Sequence, residues 1–198
     1  MAFKLVLFLA HLVAVIVPIF LGIKSYKKFK QIRFPFLIPF AFISLGLASM
    51  FEMIDHTTTD WIFVDHSSIF NWLFYSFLSL GLSFFTISIT KKQSYIITNI
   101  SLIIAATFSY WFLGKSITIL FQVIISFLLI ISWWIRFKDL VFLIYPIMGV
   151  LFTTTFGIVL SSSGEQIWHI FIGPSGTISV LAFYLVLNRS RKKEIITT

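Results

Sequence analysis

Seven apolar runs divide this chain, each close to the roughly 20 residues that a helix needs to cross the hydrocarbon core of a bilayer. They extend over Ala2 to Ile23, Phe34 to Ile54, Ser68 to Ile89, Tyr95 to Gly114, Ser116 to Ile135, Leu140 to Leu160, and Ile167 to Leu187. None shows the apolar/polar alternation of a membrane strand, which argues against a β-barrel. The reading is an all-α, polytopic membrane protein: one domain over residues 1–198 that forms a seven-transmembrane-helix bundle. A 59% share of hydrophobic residues, against about 45 to 50% in soluble domains, agrees with it. The first run is read as a retained helix and not a signal peptide, because no small-residue cleavage site follows it and five basic residues do.

The net charge of +8 invites a nucleic-acid reading that its distribution removes. Thirteen of the fifteen Lys and Arg residues form four groups at run ends: Lys24 to Arg33, Lys91 and Lys92, Arg136 and Lys138, and Arg189 to Lys193. With seven spans, these follow helices 1, 3, 5 and 7 and share one side. The positive-inside rule places that side in the cytoplasm, with the N-terminus outside and the C-terminus cytoplasmic. Nucleic acid is not an expected partner; the lipid bilayer is, with some contact to anionic lipid at the basic groups. Cysteine is absent, which excludes disulfides, thiolate metal sites and thiol nucleophiles.

Acids gather at the other side. Ser49 to Ser68 holds Glu52, Asp55, His56, Asp60, Asp65 and His66, which is four of the seven acids and two of the four histidines. Charge in so apolar a chain is costly, so such a window marks a candidate site. Glu52 and His56 are four residues apart and share one helix face. Glu165 and His169 repeat that spacing at the start of helix 7. Together with Asp65 and His66 these groups offer imidazole nitrogens and carboxylate oxygens to a metal, and zinc and non-haem iron both accept that mixture.

Each residue also has a plainer role open to it. His56 sits at a helix C-terminus, where the dipole favours a cation. Asp65 is placed to cap helix 3, and His66 points about 100 degrees away from it on a helix. Glu165 suits the first turn of helix 7, and His169 can hydrogen-bond a neighbouring helix. His11 is expected to be a packing or interface residue. The six tryptophans are expected at the interfaces. Pro18, Pro39, Pro146 and Pro174 are expected to kink their helices, and Gly173 and Gly176 to let another helix approach closely.

The arrangement resembles the alkaline ceramidase and progestin/adiponectin receptor superfamily of seven-helix membrane hydrolases. That group carries Ser and His four apart late in helix 2, Asp early in helix 3, and H-x-x-x-H on helix 7. Here helix 2 has Glu52 and His56, Asp65 follows nine residues later, and helix 7 has Glu165-Gln-Ile-Trp168-His169. Glu52 stands where the family has Ser, and Glu165 where it has the first helix 7 His. The resemblance implies a zinc held by His56 and His169, with Glu165 in place of the missing ligand and Asp65 near the reacting water. It leaves Glu52 as ligand, supporting anchor or catalytic base. The implied activity is metal-dependent hydrolysis of a lipid amide or ester, with a membrane lipid as substrate. Two rival classes stay open: a haem or non-haem iron oxidoreductase using the same Glu/His cluster, and a non-enzymatic receptor, transporter or assembly protein. A proton or ion pump is disfavoured, because no ionisable residue lies mid-span in helices 4, 5 or 6.

Overall fold

The computed structural model describes residues 2–30, 32–58, 68–151 and 165–197; within these, the side chains of 2–4, 58, 165–169, 172 and 193–197 lie outside the description. The regular elements of the described residues are helices, with no strand. The helices are α1 (Ala2–Ser25), α2 (Leu37–Thr58), α3 (Ile69–Ile89), α4 (Gln93–Phe112), α5 (Lys115–Phe137), α6 (described over Leu140–Leu151, opening with the 3-10 turn Leu140–Leu143) and α7 (Glu165–Thr197). Five of them, α1 to α5, are long and apolar enough to cross a membrane. The protein is a multi-pass integral membrane protein.

Helix ends follow local chemistry. Ser68 stands extended before α3, and its hydroxyl accepts the amide proton of Asn71 at 2.9 Å, satisfying one donor that the first turn leaves open. Lys138 ends α5 in the left-handed conformation, its amide donating to Trp134 O at 3.0 Å. Pro39 falls in the first turn of α2, where its missing N–H is no loss, so the expectation of an interior proline does not apply there. Pro18 and Pro174 lie inside α1 and α7, which continue through them.

Packing sets the order of the helices. α1 lies against α2 and α7; α3 lies against α2, α4 and α5. The α1/α2 seam is close because two glycines line it. A Cβ added to Gly22 would meet Pro39 O at 3.0 Å, and one added to Gly46 would meet Val15 O at 3.0 Å. These two crossings fix an antiparallel register that, carried about one turn beyond Val15 along α1, brings His11 opposite Glu52.

The core is aromatic. Trp133 is fully buried, donates from Nε1 to Phe85 O at 3.3 Å, and stacks on Phe142 with ring centroids 5.1 Å apart. It therefore departs from the interface position expected of it, because the short turn into α6 folds Phe142 back over the end of α5. Trp134, its neighbour, is 41% exposed and does keep an outward position.

The four basic groups gather at one end of the bundle. Phe34 N donates to Ser88 O at 3.0 Å, and the Arg33 guanidinium donates to the carbonyls of Thr90 and Lys91, joining the first group to the second. Lys28 Nζ donates to Tyr184 OH at 2.6 Å, and Arg189 pairs with Asp139 at 3.2 Å, which brings in the fourth group and the third.

Candidate metal centre

The opposite end of the α1/α2 seam holds three polar side chains in apolar surroundings. His11 comes from α1, and Glu52 and His56 from the last two turns of α2. All three are buried: the side chain of His11 is wholly enclosed, and those of Glu52 and His56 are 7% and 8% exposed. His11 Nε2 lies 3.7 Å from Glu52 Oε2, and His56 Nε2 lies 3.8 Å from Glu52 Oε1. The two imidazole rings meet edge to face at 5.7 Å. One ligand atom from each residue falls within 4.8 Å of the others, and among the described residues this is the group of His and acidic side chains that closes so tightly.

A hydrogen bond fixes one nitrogen of His11. Its Nδ1 lies 2.9 Å from Leu7 O, one turn back on the same helix. A carbonyl can only accept, so Nδ1 carries a proton, and a neutral ring in this tautomer presents a lone pair at Nε2. That Nε2 is buried and has no hydrogen-bond partner among the described residues. Buried polar atoms without partners are rare and call for an explanation such as an unplaced ion or water.

The spacings favour an ion. A charge-assisted hydrogen bond would close to about 2.7 to 2.9 Å, and both Glu52 contacts are nearly an ångström longer. Two ligands held at about 2.0 to 2.1 Å around a tetrahedral zinc stand roughly 3.3 Å apart, which is nearer the separations found. Two imidazoles and one carboxylate form a zinc donor set that leaves a fourth position open, and the same set suits iron(II). The residues present therefore fit a divalent metal.

Asp55 does different work. Buried to 1% exposure, its carboxylate accepts the hydroxyl proton of Ser68 at 2.5 Å, and Ser68 caps α3. Tyr110 OH donates to Asn71 Oδ1 at 3.1 Å and receives the Ser68 amide proton at 3.2 Å. These bonds hold the end of α2, the start of α3 and the end of α4 together, and so support the turn of α2 that carries His56.

Of the residues marked in the sequence, Glu52 and His56 come together as their spacing requires. Asp65 lies outside the described residues, as do Asp60 and His66. Glu165 and His169 stand in the first turns of α7, and their side chains lie outside the description. The backbone still places α7 against the site. A Cβ added to Gly173 would meet Ala10 O at 2.5 Å and His11 Cα at 3.3 Å, so α7 crosses α1 at His11, one turn past His169. Gly176, credited in the sequence with the same role, faces open space. His11 is the residue that sequence reasoning left to packing. Its signal was the α1/α2 glycine register, legible only once those helices are known to be paired.

A family model described as "Seven transmembrane receptor" matches residues 3–193, and the chain belongs to that family. The match shares the seven-helix membrane architecture with the ceramidase resemblance and goes no further toward that group. No curated protein and no solved structure matches the chain.

Proposed function

We propose that this member of the seven-transmembrane receptor family is a zinc-type membrane metalloenzyme that hydrolyses an amide or ester bond of a membrane lipid. The observation that carries the reading is His11 Nε2, buried, without a hydrogen bond among the described residues and 3.7 Å from a carboxylate that a second imidazole also approaches. Bound there, zinc supplies a Lewis acid that polarises a carbonyl and makes water nucleophilic near neutral pH.

The chain's own residues have separate tasks in this reading. His11, His56 and Glu52 hold the ion. The Leu7 carbonyl keeps the His11 ring in the ligating tautomer, as outer partners of metal-bound histidines do. Asp65 accepts the proton of the attacking water, and Glu165 and His169 bring α7 to the same site. Apolar helices around the cluster receive the lipid chain and exclude water. In this reading the site opens on the non-cytoplasmic face, with the basic groups inside the cell.

Elemental analysis of detergent-purified protein should find close to one zinc per chain, and turnover of a fluorescent ceramide should depend on it. His11→Ala and His56→Ala should each remove both metal and turnover. Retention of the metal in the double variant would end the assignment. Iron in place of zinc would transfer the same donor set to redox chemistry. A second reading, a non-enzymatic receptor, draws on the family description; a folded protein that never holds stoichiometric metal would favour it.

A further inference from the structure

At the basic end, away from the candidate metal centre, a shallow, open groove of about 370 Å3 is lined by Lys138, Asp139, Leu140, Arg189 and Lys192. Three cations and one carboxylate leave it with an excess of two positive charges. The carboxylate is already committed. Asp139 Oδ1 accepts the Val141 amide proton at 2.9 Å and pairs with Arg189 Nη1 at 3.2 Å, and its side chain is only 9% exposed.

Arg189, by contrast, is 54% exposed. A guanidinium has five donors in a rigid plane, so one held by Asp139 still presents others, in a fixed orientation. Neither Lys138 nor Lys192 has an acidic partner among the described residues. Lys138 adopts φ 45 and ψ 39, a conformation that L-residues avoid, in the sharp turn that directs the chain from α5 past the end of α7. The rim is apolar: Leu140 is 71% exposed, and nearby Ile135 and Trp134 are 66% and 41% exposed. An oriented guanidinium, two ammonium groups with no acidic partner among the described residues and an apolar lip at the end of a span match a phosphate joined to acyl chains, and not a free ion.

We propose that this groove is a binding site for the headgroup of an anionic phospholipid, with Arg189 and Lys192 on the phosphate, Lys138 at its edge and Leu140 against the glycerol and upper acyl chain. Asp139 is a positioning residue that holds Arg189 in place. Topology alone asks only for basic residues on this side; it asks for no groove and no committed acid.

The test is native mass spectrometry of the full-length protein in detergent, titrated with phosphatidylglycerol or phosphatidylcholine. One phosphatidylglycerol should bind in clear preference to phosphatidylcholine. Arg189→Gln with Lys192→Gln should weaken it by roughly fivefold for each cation removed. Lys192→Gln alone, a change at an exposed side chain, should show one such step and covers the case in which the double variant does not fold. Lys91→Gln with Lys92→Gln, another exposed basic pair at the same end, should leave the preference intact. Equal loss in that control pair, no loss on changing Lys192, or full displacement by millimolar inorganic phosphate would overturn the proposal.

Discussion

Two of the buried polar regions among the described helices are built differently. Between α3 and α5, Gln122 Nε2 donates to Tyr75 O at 2.7 Å and to Ser79 Oγ at 2.5 Å, and Ser79 donates to Tyr75 O at 3.0 Å. Between α1 and α2, His11, Glu52 and His56 stand 3.7 to 3.8 Å apart and leave a ring nitrogen without a hydrogen bond. The first region closes on itself at hydrogen-bond length with neutral groups; its open acceptor, Gln122 Oε1, carries no charge. The second holds a carboxylate at distances that suit an intervening ion. In a medium without water, spacing and charge together separate interhelical glue from a site.

That contrast can be broken by experiment. The largest effect is expected from Glu52→Gln, which keeps shape and removes charge. Metal affinity should fall by about 100-fold or more, the upper end of what changes to outer partners of metal ligands cost, as read by chelator competition. Unchanged affinity would make the cluster another piece of glue. Gly173→Ala comes next. Its added methyl must push α7 away from the α1 backbone at Ala10 and His11, at about 1 to 3 kcal/mol by analogy with overpacked cores. If α7 belongs to the site, metal retention in a chelator challenge should fall with stability; if it merely packs there, only the midpoint of unfolding should move. Gln122→Leu should have the smallest effect. Interhelical hydrogen bonds in membranes are worth about 0.6 to 1.7 kcal/mol, so the unfolding midpoint should drop slightly while bound metal stays constant. Loss of metal in this variant would mean that the two regions are coupled.

The spans were legible because each run of about 20 apolar residues has few solutions other than a helix. The Glu52 and His56 pair was legible for a related reason: four residues apart is a local relation that any helix enforces. His11 was not, because its partner is on another helix and a lone histidine in an apolar run carries no mark of what it faces. Trp133 misled for the opposite reason. Its place near a run end fits an interface residue, and only the fold of Phe142 over it makes it core. Asp55 looked like one more acid in a charged window, yet its bond to Ser68 makes it a fastening between helices.

The α1/α2 seam has one more consequence, which concerns synthesis. All three residues of the candidate metal cluster belong to the first hairpin, within residues 11 to 56. Their two helices are joined by the eleven residues 26–36, whereas α7, which lies against α1 at Gly173, is made after the other described helices. The candidate cluster is thus a product of the first two spans, and its enclosure a product of the helices made after them. A truncation after Thr58 would keep the three groups tethered and remove the later helices, α3 and α7 among them, that pack on the hairpin.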